Sequence, residues 1–209
     1  MNDSVAAARF VTSLAELSER LHTLRARRKW WRRWARRAAV AIVLREAETG
    51  LEVLMIRRAE RSGDPWSGHM AFPGGLVDPV DRHSLAAAHR ETLEEIGLDI
   101  GAHARLLARL SELGSPSHRG YRHMLAITPY VFALQSLPPL ALNHEVAEVL
   151  WLPLSFFVEP ANRGSIRWGQ LQLPCYDWQG RQIWGLSLQM LDELLAQLGA
   201  ADRASGNRL

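Results

Sequence analysis

Between Arg90 and Leu98 the chain reads RETLEEIGL, with glutamates at 91, 94 and 95. On a helix of about 3.6 residues per turn that spacing puts the three carboxylates on one face, with Leu85, Leu93 and Ile96 expected on the opposite, packed side. Gly97 ends the pattern where a left-handed C-cap would stand. A helix here carries its acidic face at the end whose dipole is already partly negative, and each like-charged neighbour adds about 0.2–0.5 kcal/mol of repulsion. A divalent cation would relieve both effects, and an all-oxygen donor set points to a hard ion, Mg2+ or Mn2+. The alternative is a solvated acidic face on which Arg90 pairs with Glu94 one turn on.

Upstream, Phe72-Pro73-Gly74-Gly75 places two glycines at the end of a short apolar run. Backbone without a Cβ can approach a ligand closely there, which suits a metal-bound phosphate. At this point the residues resemble the Nudix hydrolase signature, whose core reads Arg-Glu-x-x-Glu-Glu-x-Gly and then an apolar residue. Arg90, Glu91, Glu94, Glu95, Gly97 and Leu98 all match. The front of the signature differs: Arg82 stands where the general pattern has glutamate, and Gly75 lies one residue farther off, the gap filled by Asp78-Pro79-Val80-Asp81. That extension behind Phe-Pro-Gly-Gly is similar to the coenzyme A pyrophosphatase subgroup, as are Ile183-Trp184-Gly185 and Glu145-Val146. The subgroup's paired arginines are not matched: measured back from Gly68, the second position holds Asp64 and the first falls on Ala59 beside Arg58.

The resemblance implies an α/β fold, an α/β/α sandwich with a mixed β-sheet between helices, and hydrolysis of a diphosphate by water attack on phosphorus. It implies metal binding by Glu91, Glu94 and Glu95 with the Gly75 carbonyl, and ion pairing by Arg90 that holds the carboxylates. Glu145 and Glu94 are the candidate general bases. Arg57, Arg58 and Gly74 are expected to meet substrate, and so are His118 and Tyr121, in the polar stretch that also carries Ser115, Ser117 and Arg119. Asp78 and Asp81 are expected either to cap the following helix or to bind metal. The substrate class is a nucleotide-derived diphosphate: coenzyme A or its thioesters, or another nucleoside diphosphate derivative. A third reading is a module that binds RNA or membrane without turnover, which would have no need of the acidic helix face.

At 209 residues and 47% hydrophobic, the chain can bury one substantial core. No apolar run approaches the roughly 18 residues of a membrane span. The single Cys175 has no internal disulfide partner, which fits the reducing cytoplasm. The net charge of +3 is uneven: from Arg20 to Arg45 there are arginines and Lys29 but no acidic residue, interleaved with Trp30, Trp31 and Trp34. Such a segment can steer a polyphosphate by its field or touch an anionic membrane surface peripherally. The plainer reading is a solvated basic helix whose tryptophans pack on the catalytic domain, and nucleic acid is not the expected partner. Residues 1–37 are expected as a helical extension, with the helix over 13–37, residues 38–200 as the hydrolase domain and 201–209 as a frayed tail. Ala38–Leu44 and Leu51–Arg57 read as paired strands around Glu48-Thr49-Gly50, and apolar stretches at 104–110, 122–134 and 148–153 follow. Segments 166–174 and 179–184 read as a late hairpin around Gln179-Gly180, and Leu186–Leu198 as a helix. The oligomeric state is left open, a homodimer included.

Overall fold

Successive residues of the run Val53-Leu54-Met55-Ile56 belong to different cores. A computed structural model describes Val11 and residues 13–63, 66–115 and 124–199. In it β1 (Arg36–Ala47) and β2 (Gly50–Arg58) form an antiparallel hairpin with Ala47 opposite Gly50. Ile42, Leu44, Val53 and Met55 enter one apolar cluster, Ala41, Val43, Leu54 and Ile56 the other. A strand whose side chains alternate between two covered faces reads as a continuous apolar run, which is what the sequence shows.

Around this hairpin lie β3 (Met70–Ala71), β4 (Gly74–Leu76), β5 (Ala104–Arg109), β6 (Leu113–Ser115), β7 (Leu125–Leu134) and β8 (Val146–Pro153). The order β3-β2-β1-β7-β5 is extended by β4 on β1, β6 on β7 and β8 on β2. The pairing of β1 with β7 is parallel and the rest antiparallel, so the sheet is mixed. Helix α1 (Leu14–His22) and the C-terminal helix α5 (Gly185–Gln197) cover the face of Met55; α2 (Ser84–Ile96) and the short α3 (Ile100–His103) cover the face of Ile56. A short α4 (Leu154–Val158) follows β8 and joins the first cluster through Leu154 and Phe157. The α/β/α sandwich expected from the sequence is present.

Two expectations of local structure need correction. The late hairpin is a three-stranded sheet of its own, β9 (Arg163–Trp168), β10 (Leu171–Trp178) and β11 (Arg181–Trp184), in the order β11-β10-β9. Its second turn is the expected Gln179-Gly180, with φ of 54° and 83°, the pair of left-handed residues a two-residue hairpin loop requires. The helix expected over 13–37 spans only Leu14–His22, and Leu17 and Leu21 bury its apolar side. Beyond Thr23 the cations repeat at i and i+4 with no acidic partner on the segment, which disfavours helix. Partners come instead from the far end of β5: Arg27 N–H donates to Ser111 Oγ at 3.0 Å, Lys29 N–H to Glu112 Oε2 at 2.8 Å, and Arg32 Nε stands 2.7 Å from Glu112 Oε1. Trp31 packs against Gly114, whereas Trp30 and Trp34 are 80% and 61% exposed and do not pack on the domain. Among the described residues no helix is long and apolar enough to cross a membrane.

His118 and Tyr121, the neighbouring Ser117 and Arg119, Asp64 and the expected tail 201–209 lie outside the described residues.

Candidate active site

Helix α2 begins with His83, whose Nδ1 accepts from Ala86 N–H at 3.1 Å, and ends at Gly97 with φ of 71°. Neither Asp78 nor Asp81 caps it. Asp81 is held by Arg90 instead, at 3.2 Å from Nε and 3.0 Å from Nη2. That guanidinium also holds Glu91 Oε1 at 3.0 Å and Glu94 Oε2 at 3.1 Å through Nη1, and the Leu76 carbonyl at 3.0 Å through Nη2. Arg90 thus ties the loop after β4 to the helix, and its hydrogen bonds above all, with its charge and the Asp78 N–H in support, hold the Asp81 carboxyl below the usual carboxylate range.

The acidic face is split by depth. Glu95 is 4% exposed, Glu91 half-buried and Glu94 exposed, while Leu93, expected on the packed side, is 49% exposed. The packed side is formed by Ala87, Ala88, Thr92, Glu95 and Ile96, so Glu95 points inward at the glycine-rich strand. Gly74 N–H donates to Glu95 Oε2 at 2.8 Å. That approach needs a glycine: Gly74 has φ of 146°, and a Cβ there would fall 2.2 Å from the Ala39 carbonyl oxygen. At Gly75 a Cβ would fall 2.4 Å from Glu91 Cδ, so the second glycine makes room for the second carboxylate. Burial above all pushes the Glu95 carboxyl up to about 7; the charges of Glu91 and Glu145 push the same way, against the Gly74 hydrogen bond and the Arg58 charge. Burial also raises Glu91, opposed by Arg90.

The loop leading to β8 hangs on the end of α2, with Ala141 N–H on the Ile96 carbonyl at 3.0 Å and Asn143 N–H on the Glu95 carbonyl at 2.9 Å. These carbonyls have no partner within a helix that stops here, and they fix where Glu145 stands. Glu145 pairs with Arg61 at 3.1 Å and its carbonyl accepts from Ala59 N–H at 2.7 Å.

A buried Glu95 carboxylate whose proton affinity is raised by the Glu91 charge, against backbone stripped of Cβ atoms, fits an oxygen-seeking divalent cation. In the arrangement described, Arg90 engages Glu91 and Glu94, and among the described residues no three acidic or histidine side chains already converge as a metal cluster.

A family model of the NUDIX domain matches residues 35–169. The chain belongs to the Nudix hydrolase family. It is 31% identical over 170 residues to the uncharacterised Nudix hydrolase NudL of Yersinia pestis, covering 78% of this chain and 80% of that protein. It is 28% identical to the human mitochondrial coenzyme A diphosphatase NUDT8 over 77% of this chain and 68% of that one. An uncharacterised Schizosaccharomyces pombe protein is 41% identical over 52% of this chain, a match that spans 33% of the yeast protein's length. Among solved structures, the NUDIX hydrolase of Alicyclobacillus acidocaldarius shares the fold with a TM-score of 0.54 at 19% identity, covering 78% of this chain and 91% of that one.

Of the residues the sequence singled out, the Nudix helix and its approach bring Gly74, Gly75, Glu91 and Glu95 together, with Arg58 and Glu145 close enough to act on Glu95 electrostatically. Arg57 is not with them. It leaves the opposite face of β2 and pairs with Glu148 at 3.3 Å, an ion pair shared with Arg181 at 2.6 Å. Sequence reasoning missed Asp81 as the anchor of Arg90, although the nine-residue separation of the two crosses a helix start and so carries no periodic signal. It also missed the positions of His69, Trp168 and Trp184, which meet only in the folded molecule.

Proposed function

We propose that this Nudix pyrophosphohydrolase cleaves the diphosphate of coenzyme A or its thioesters, releasing 3',5'-adenosine diphosphate and the 4'-phosphopantetheine product. The observation that carries the chemistry is the Glu95 carboxylate, buried beside Glu91 and bonded to the Gly74 N–H. Glu91 and Glu95 would hold Mg2+ or Mn2+, with Glu94 at the exposed rim and the Gly75 carbonyl as a further donor. When bound, the ion neutralises phosphate charge and polarises the reacting phosphorus. Arg90 positions Glu91 and Glu94 through its anchor on Asp81, and does not meet substrate. Glu145, standing on a separate loop, takes the proton from the attacking water. Arg58, whose charge acts on Glu95, meets a phosphate oxygen in this reading, and Gly74 lets that oxygen come close.

Support for coenzyme A comes from the likeness to the human coenzyme A diphosphatase and from Phe72-Pro73-Gly74-Gly75 followed by Asp78-Pro79-Val80-Asp81. The unmatched arginine pattern around Asp64 favours the second reading, another nucleoside diphosphate derivative. We place the reaction in the cytoplasm, where the buried lone Cys175 stays reduced. The exposed Trp30 and Trp34 among arginines supply a peripheral contact to anionic membrane.

The test is a metal-supplemented panel of coenzyme A, acetyl coenzyme A, ADP-ribose, NADH and diadenosine polyphosphates compared by kcat/KM. Preference for the coenzyme A compounds supports the first reading and preference for another supports the second. Silence across the panel overturns both.

A further inference from the structure

A cavity of about 400 Å³ opens on the face of the sheet opposite the Nudix helix, between β9, β11 and the end of the loop that leads into β3. His69, Trp168 and Trp184 wall it, and Arg57, Arg167 and Arg181 stand in its lining. Trp168 is 43% exposed yet fixed in place. Trp184 lies 4.8 Å from it, and Trp66 runs parallel to it, within 4°, at 6.5 Å. His69 meets Trp168 and Trp184 edge-on at 6.2 Å and 5.0 Å. A large indole that is held rigid and left open to solvent is a stacking platform in search of a planar ring.

Charge narrows the ligand. Arg57 and Arg181 share the one carboxylate of Glu148, and Arg167 adds a further cation, against Glu60 alone in the lining. Guanidinium groups around an aromatic wall repel the quaternary ammonium that other aromatic cages take, and bind phosphate instead. The volume suits a nucleotide.

The cavity also adjoins the hydrolytic site. Arg57 and Arg58 are consecutive on β2 and leave opposite faces, one toward the cavity and one toward Glu95. Just past the strand, Ala59 and Arg61 are tied to Glu145, while Glu60, Gly68 and His69 line the cavity. A diphosphate held at the carboxylates can carry its nucleoside end around this edge. Gly180, Arg181, Gln182 and Trp184 lie beyond the segment matched by the NUDIX domain, so one wall of the cavity is built outside the part of the chain that the family model covers.

We infer that this cavity is the subsite for the purine nucleoside phosphate portion of the substrate, the base stacked on Trp168 and the phosphate met by Arg167 and Arg181. The inference rests on the hydrolase reading for its role and on none of the metal chemistry for its binding. Isothermal titration of the full chain in EDTA with adenosine 3',5'-bisphosphate, which has no anhydride to cleave, tests it directly. Saturable binding is expected, at least about tenfold weaker for ribose 5-phosphate and about tenfold weaker in Trp168→Ala, given what base stacking contributes. Arg167→Ala, at an exposed rim position that supports no packing, is expected to weaken binding and flatten its dependence on salt. Absence of binding by the native protein, equal binding of ribose 5-phosphate, or unchanged affinity in both variants overturns the assignment. For the native protein, binding without turnover in the panel sinks the hydrolase reading alone, and turnover without binding sinks this subsite alone.

Discussion

Glu95→Gln should make the metal-free protein more stable while removing its activity, because the carboxylate is buried for its ligand and not for the fold. With 4% of the residue exposed, burial and the charges of Glu91 and Glu145 lift its carboxyl from 4.5 to about 7. The native state then holds this proton more tightly than the unfolded chain does, so stability is fully present below about pH 4.5 and is lost as pH rises to about 7. At about 1.36 kcal/mol per pH unit, the difference between 4.5 and about 7 corresponds to roughly 3 kcal/mol of native-state stability lost at pH 8. Glutamine keeps an oxygen for the Gly74 N–H and carries no charge to bury. In EDTA at pH 8 the variant should melt about 6–12 °C higher than the native protein, and at pH 5 the gap should nearly close. Millimolar Mg2+ should reverse the order by stabilising only the native protein. Thermal melts at the two pH values, with and without metal, decide the matter. A variant less stable than the native chain at pH 8 in EDTA would mean that Arg58 and the Gly74 bond already satisfy the charge. An equal Mg2+ gain in both proteins would remove Glu95 from the metal site.

Arg90→Ala should cost about 3 kcal/mol in urea unfolding, since it strands the buried Asp81 carboxylate, and should raise the acid-denaturation midpoint; an unchanged midpoint would deny that Arg90 is what holds Asp81 ionised. Gly75→Ala should leave the far-UV spectrum native but lower kcat more than tenfold, by pushing aside the Glu91 carboxylate that a Cβ would meet at 2.4 Å. Gly74→Ala, where the clash is with the Ala39 backbone, should instead fail in stability, which differential scanning calorimetry would register as a lowered Tm. Trp30→Ser with Trp34→Ser should change stability by less than about 0.5 kcal/mol and leave kcat/KM unaltered, while weakening sedimentation with phosphatidylserine vesicles; retention on the vesicles would place any membrane contact elsewhere.

The parts of this molecule that were legible in the sequence are those whose partners are near in the chain or repeat with a period. The β1–β2 hairpin closes over two residues and alternates apolar side chains between two cores, and α2 ends at a glycine whose φ of 71° is the left-handed conformation of a C-cap. What escaped was set by contacts across long separations. Arginines 25 to 33 look helical until the backbone of that stretch is given Ser111 and Glu112, more than 80 residues on, as partners. Helical spacing grouped Glu91, Glu94 and Glu95 correctly as neighbours but had no means of ranking their depth. Depth comes from Gly74, whose backbone lies this close only because it carries no side chain to meet the Ala39 carbonyl. The difference matters to the chemistry: three equally exposed carboxylates would be a solvated face, whereas one buried at 4% exposure beside a half-buried neighbour is a site with unmet charge. The same reasoning separates Arg57 from Arg58. As adjacent letters they were one expectation, yet strand alternation sends the first to Glu148 and the tryptophan-walled cavity and the second toward Glu95. Adjacent residues on one strand therefore face two different sites, one on either side of the sheet.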